Sequence, residues 1–137
     1  MIVEPRYLLD TDICIYIRKG RPEGVVRRFE TIRPGEAVLS VITYGELLYG
    51  AEKNALREQS LHRLQQLSDL VPTLPLPDNA AHTYGFLRAE LERRGEMIGN
   101  NDLWIAAHAL ASGLILVTNN EKEFRRVHGL KVQNWAL

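Results

Sequence analysis

The chain has 137 residues, sets 17 Lys and Arg against 17 Asp and Glu, and is 45% hydrophobic and 25% charged. That is the size of one domain and the composition of an ordinary soluble globule. A formal net charge of +0 excludes a whole-molecule basic field as the means of holding a nucleic acid, so local patches must serve any such partner. Cys14 is the single cysteine, which excludes an internal disulfide and fits a reducing compartment. Flanked by Ile13, Ile15 and Tyr16, it reads as a buried thiol and not as a nucleophile. No apolar run approaches the roughly 18 residues of a membrane span. The stretch from Met1 to Pro5 lacks the form of a signal peptide, so the expected location is the cytoplasm.

In chain order, Tyr7-Leu8-Leu9 is a short apolar strand that ends on Asp10. Thr11 or Asp12 can cap a helix running to Arg18 and closed by Gly20. Pro22 opens a second helix to about Thr31, with Val25, Val26 and Phe29 as its apolar stripe. Pro34-Gly35 is a turn, and Ala37 to Val41 is the second strand. It runs directly into Ile42 to Ala51, and a long amphipathic segment follows, carrying Leu56, Leu61, Leu64 and Leu67 at helical spacing. Leu70 to Leu76 contains Pro72 and Pro75 and suits only an edge strand. Pro77-Asp78 starts a helix that stops near Arg93-Arg94-Gly95. Asp102 starts the next, closed by Gly113; Leu114 to Val117 is the most strand-like run in the chain. A short helix over Glu121 to Arg126 and a last strand over Leu130 to Gln133 complete the reading.

Strands alternating with helices, with no hairpin turn between strands, predict an α/β fold with a mostly parallel sheet covered on both faces. In such a sheet the strand-to-helix junctions lie along one edge, where ligands gather. Asp10, Glu46 and Asp102 sit at or near helix starts, and Asn120 follows the Leu114–Val117 strand. Each acid also has an ordinary structural role open to it. Asp10 competes with Thr11 and Asp12 for one cap, Thr43-Tyr44-Gly45-Glu46 fits a capping box, and Asp102 is a first-turn acid with Asn101 as cap. Their shared placement is what raises them above those roles. His108, alone among alanines on its helix, reads as a core or partner-facing residue, and no Cys/His spacing suggests zinc. No glycine-rich phosphate loop is present.

Carboxylates brought together repel unless protons or cations neutralise them. Oxygen-only ligands select a hard cation, Mg2+ or Mn2+, which polarises phosphoryl oxygens and lowers the pKa of an attacking water. Phosphodiester hydrolysis is the chemistry that follows.

At this point four stretches resemble the motifs of PIN-domain nucleases, in order and spacing. They are Leu8-Leu9-Asp10-Thr11-Asp12; Ser40 to Gly50 around Glu46; Asn101-Asp102-Leu103-Trp104-Ile105-Ala106-Ala107-His108-Ala109; and Leu116-Val117-Thr118-Asn119-Asn120-Glu121-Lys122-Glu123-Phe124. Length and order match the toxin members of the VapC type, with one PIN domain over residues 1–137 and a sheet of about five strands. The resemblance implies a Mg2+-dependent endoribonuclease, Mn2+ being a possible substitute, that forms the toxin half of a toxin–antitoxin pair. Asp10 and Asp102 then ligate the ion directly, Glu46 acts through water, and Thr118 supports the cluster, with Thr11 and Asp12 beside it. The fourth acid, an aspartate in many members, is matched by Asn120, which removes one negative charge and favours a one-metal resting site. The resemblance also implies structured RNA as substrate, tRNA among the expected ones, a homodimer, and higher-order complexes with a VapB-like antitoxin. Arg18, Lys19, Arg27, Arg28, Arg125 and Arg126 are candidate phosphate contacts, and Leu48, Tyr49 and Leu56 candidate antitoxin contacts.

Two rival readings remain. Asp10-Thr11-Asp12 superficially matches the opening of haloacid-dehalogenase-like phosphatases, in which Asp10 is a phosphoryl acceptor; the following Ile13-Cys14 departs from that pattern. The other rival is a non-catalytic RNA- or protein-binding module in which the acids are only caps.

Overall fold

The strands β1 (Tyr7–Leu9), β2 (Ala37–Ser40), β3 (Thr73–Leu74), β4 (Ile115–Val117) and β5 (Val132–Gln133) form one sheet in the order β3-β2-β1-β4-β5. All four pairings are parallel in this computed structural model, which describes residues 2–137. The register sets Leu8 beside Val38 and Leu116, and Leu9 beside Val117. Parallel strands need crossovers, and seven helices among the described residues supply them: α1 (Thr11–Lys19), α2 (Glu23–Thr31), α3 (Val41–Glu52), α4 (Arg57–Leu70), α5 (Ala80–Arg94), α6 (Asn100–Ser112) and α7 (Glu121–Phe124). The expected α/β architecture is what the chain adopts.

Because strand side chains alternate between faces, the sheet sorts its residues into two cores. Leu8, Val38 and Leu116 pack with Leu87 and Leu91 of α5 and Leu103 and Ala107 of α6. On the other face Tyr7, Leu9, Leu39 and Val117 pack with Ile13, Val25, Leu47, Leu64 and Leu67 from α1 to α4. With both faces covered, every β1 residue is buried, which is why that strand reads as a continuous apolar run rather than an alternating one.

From β1 the chain steps outward to β2 and β3, then crosses back over β1 to lay down β4 and β5. The order therefore reverses between β1 and β4, and their carboxyl ends open the crevice in which such sheets bind ligands. Gly95 and Gly113 close α5 and α6 as expected, at φ of 66° and 67°, each N–H turned back to carbonyls of the last turn.

Several boundaries differ from the sequence expectation. The cap of α1 is Asp10 itself, its side chain accepting from Thr11 N–H, so neither Thr11 nor Asp12 caps the helix. Ser40 caps α3 by accepting from Ile42 N–H, which starts the helix at Val41 and puts Glu46 in its second turn. The Thr43–Glu46 capping box therefore does not form. The long amphipathic segment is α4, set off from α3 by a turn after Glu52 in which Asn54 Oδ1 accepts the Leu56 N–H at 2.8 Å. Gly99, not Asn101, is the cap of α6, and α7 stops at Phe124.

Leu8 is fully buried at the centre of the first core. Leu8→Ala is expected to destabilise the protein by about 2–5 kcal/mol, read from the midpoint of urea unfolding.

Candidate functional site

Asp10 leaves the end of β1 at the crevice and is 6% exposed. Its Oδ1 accepts from Thr11 N–H and its Oδ2 from the hydroxyl of Thr118, just past β4, both at 2.8 Å. The carboxylate is thus pinned from both strands of the topological switch. Thr118 Oγ1 in turn accepts from Asn120 N–H at 2.9 Å, fixing the turn that leads into α7.

Asp12 faces the same crevice from the first turn of α1. Its Oδ2 accepts from Asn119 N–H at 3.1 Å, while its Oδ1 is buried with no hydrogen-bond partner. Glu46 comes in from α3, held by the Thr11 hydroxyl, which donates to its Oε1 at 2.7 Å. Asp102 comes in from the first turn of α6. Four acids from three helices and one strand end are thereby gathered at one rim.

Glu123 is a site residue that the sequence reading does not include. It lies close enough to Asp102 for the two carboxyl groups to share a proton. The signal is in the spacing: Glu123 follows Asn120 by three residues in a helical stretch, so the two share a face. The charge that Asn120 lacks is restored one turn later. Asn120 itself stands at the start of α7, and its side chain makes no hydrogen bond among the described residues. Asn119 is a second addition. Its amide donates to Tyr16 OH and its Oδ1 accepts from Asn134, both at 3.1 Å, tying the loop that holds Asp12 to α1 and to the chain after β5.

The electrostatics follow from this crowding. Burial first, then the charge of Asp12, raise the Asp10 pKa to about 7 against the opposing bonds from Thr118 and Thr11, with Asp102 adding to the rise. Burial, then Glu123, Glu46 and Asp12, raise Asp102 to about 6. Asp12 is raised as well, chiefly by burial. Among the described residues no Lys, Arg or His is ion-paired with any of these five carboxylates.

A divalent cation suits this donor set. The donors are all oxygen, the carboxylates lack a compensating charge, and Asp12 Oδ1 is an orphaned buried acceptor. No three Asp, Glu, His or Cys side chains among the described residues converge tightly enough to enclose an ion. The fit is therefore to a cation that takes few protein ligands and keeps its waters.

His108 is buried against Ser40, Nδ1 to Oγ 2.8 Å, and burial lowers its pKa. Of the two places expected for it, core or partner face, it takes the core. Of the basic candidates, Arg27 is ion-paired with Glu23 and Arg125 with Glu121, Arg28 is bonded to Gln133, and Arg126 donates to the Met97 carbonyl. Arg18 and Lys19 have no such engagement. Leu48 is partly buried against the core, whereas Tyr49 and Leu56 are 66% and 63% exposed.

The model of the PIN domain family matches residues 7–130. The chain is 44% identical over 132 residues to the Ribonuclease VapC2 of Haemophilus influenzae, covering 96% of this chain and 98% of that one. It is 40% identical over 131 residues to the tRNA(fMet)-specific endonuclease VapC of Shigella flexneri, again with 96% and 98% covered. Among solved structures, DNA-bound VapBC from Salmonella typhimurium contains a chain that superposes with a TM-score of 0.90 at 37% identity, covering 96% and 98%. A chain of VapBC2 from Rickettsia felis, bound to a DNA fragment from their promoter, superposes at 0.88 and 36%, covering 97% and 99%.

Raised carboxyl pKa values mean that the folded, metal-free chain binds protons more readily than the unfolded one. Stability is then lost as pH rises from about 4 through about 7 and regained on acidification. In EDTA, the melting temperature is expected to rise from pH 8 to pH 5.5 more steeply than in Asp10→Asn/Asp102→Asn. Equal slopes in the two proteins contradict the assignment.

Proposed function

We propose, for a chain that belongs to the PIN-domain family, that its acidic crevice is the active site of a Mg2+-dependent endoribonuclease. The single observation that carries this reading is the set of mutually repelling carboxylates, Asp10 buried and the others half-buried, with no cation of the protein's own among the described residues. Asp10 and Asp102 would hold the ion directly, and Asp12 and Glu123 add charge around it. Bound Mg2+, or Mn2+ in its place, would supply charge neutralisation on the phosphoryl oxygens and a lowered pKa for the attacking water.

The residues divide the remaining work. Glu46, oriented by the Thr11 hydroxyl, faces the crevice as the group that positions the attacking water and takes its proton. Thr118 keeps Asp10 from turning away, and Asn120 offers its amide to the water or to a phosphate oxygen. Water attacks in line and the leaving group is the 3′-oxygen, so the products are a 5′-phosphate and a 3′-hydroxyl. The ribose 2′-hydroxyl takes no part, so preference for RNA comes from the shape of the substrate.

The relatives' names support tRNA as the substrate class. The VapBC complexes support a VapB-like antitoxin as the partner that neutralises the toxin, and in this reading the toxin works as a homodimer within the larger assembly. Residues 1–137 act as one PIN unit in this reading. Among the described residues no helix is long and apolar enough to cross a membrane. The site of action is the cytoplasm, where tRNA is found.

Purified protein freed of antitoxin and incubated with total RNA is expected to generate new 5′-phosphate ends with Mg2+ and none in EDTA. Asp10→Asn and Asp102→Asn are expected to lower the rate at least about a hundredfold while antitoxin binding is kept. Thr11→Val is expected to lower it about 10–100-fold through misorientation of Glu46. Full-rate cleavage by a folded Asp10→Asn/Asp102→Asn variant contradicts the proposal.

A further inference from the structure

Among the described residues, six arginines have an acid beside them: Arg27 with Glu23, Arg33 with Glu36, Arg57 with Glu52, Arg88 with Glu92, Arg94 with Glu90 and Glu96, and Arg125 with Glu121. Arg18 and Arg63 do not, and among the described residues neither makes a side-chain hydrogen bond. The α1 macrodipole accounts for Arg18 and Lys19, which lie in its last turn. It does not account for Arg63. That residue sits in the middle of α4, where its neighbours three and four residues away, Gln59, Ser60, Gln66 and Leu67, carry no charge. Arg93 on α5, Lys122 on α7 and Lys131 ahead of β5 are also without an acid partner among the described residues, and Arg21 lines a separate hollow with Lys19, Tyr16 and Pro22 that includes none of the crevice acids.

Arg18 and Arg63 instead share a wall. A hollow of about 220 Å3 is lined by Ile17, Arg18, Arg63, Gln66, Leu67 and Leu70. Arg18 also lines a second hollow of about 150 Å3, whose walls include Thr11, Ile15, Glu46, Leu47 and Asn54. The second hollow is continuous with the acidic crevice, because Thr11 and Glu46 belong to both. Glu46, a small mixed pocket and a pair of guanidinium groups with no acid partner thus follow one another, joined at Arg18. Within the pocket Ile15 and Leu47 offer apolar surface. The Asn54 amide remains free to donate, its Oδ1 being taken by Leu56 N–H.

Resting on the nuclease reading above, we propose that this path is a substrate track. The nucleotide next to the scissile bond occupies the pocket between Glu46 and Arg18, and Arg18 and Arg63 bind the phosphate that follows it. The order of chemistry along the path matches a nucleic-acid strand. Acids that hold a cation meet the phosphate being cut, a mixed pocket meets a sugar and base, and a bidentate basic pair meets the next phosphate. An acidic protein segment fits less well, because its carboxylates would have to approach Glu46 at the near end of the track.

The test uses an RNA that the wild-type protein cleaves in total RNA, with tRNA(fMet) tried first, and follows kcat and KM at several salt concentrations. For Arg18→Gln/Arg63→Gln, KM is expected to rise about tenfold with kcat within about twofold. The slope of log KM against log salt is expected to fall by about 0.7 for each phosphate the variant no longer neutralises. Arg18→Lys/Arg63→Lys should recover most of the salt slope, and Arg88→Gln, which removes a paired arginine, should change neither quantity. Unchanged KM and salt slope in a folded Arg18→Gln/Arg63→Gln variant overturn the track. Unchanged cleavage together with weakened antitoxin binding overturns it too, and assigns the basic pair to an acidic protein segment. Absence of cleavage by the wild-type protein on any RNA is a different failure, that of the nuclease reading itself.

Discussion

The mutual repulsion of carboxylates at the mouth of the β1–β4 crevice is the constraint on which the rest of the structure depends. Asp10 with Asp12, Glu46, Asp102 and Glu123 come from four separate stretches of the chain, and each raises or is raised by its neighbours. Their hydrogen-bond donors are neutral: the Thr11 and Thr118 hydroxyls and the Thr11 and Asn119 N–H groups. Neutral donors fix direction without cancelling charge. The protein therefore holds the acids in place and leaves their field for an external cation to satisfy, which is how preorganised catalysis at phosphate works.

Holding them takes most of the fold. The two cores on either face of the sheet anchor α1 and α3 on one side and α6 on the other, and the acids project from the early turns of those helices. The loop after β4 is braced separately. Asn119 links it to Tyr16 in α1 and to Asn134 beyond β5, and Asn134 also donates to Glu121 of α7. A residue near the end of the chain thereby steadies the carboxylate of Asp12 near its beginning. Next to this negative field, Arg18 and Arg63 present the opposite charge across a single small pocket. Those two fields of opposite sign mirror the two parts of a substrate, one phosphate neutralised by metal and the next by protein.

Much of the fold is legible in the sequence because parallel strands buried on both faces leave plain apolar runs, and helix-closing glycines such as Gly95 and Gly113 mark their ends. The strand ends, and so the common edge for Asp10, Glu46 and Asp102, follow from that alternation. The departures have local causes. Ser40 reads as strand alone although it also caps α3, so Glu46 takes on a capping role in the sequence that its second-turn position rules out. Glu123 is concealed because the position that aligns with the fourth acid is Asn120, and the carboxylate stands one turn further along the same helix face. Asn119 and Asn134 act through tertiary contacts that no local pattern encodes.

The most direct test of the central claim is calorimetric titration of the antitoxin-free protein with Mg2+ near pH 6.5 in buffers of different ionisation enthalpy. With Asp10 and Asp102 raised to about 7 and about 6, binding must displace protons, so the observed heat is predicted to depend on the buffer. Proton release should shrink towards pH 8 and disappear in Asp10→Asn/Asp102→Asn. Mg2+ binding with no proton release at pH 6.5, or binding undiminished in that variant, would contradict the account.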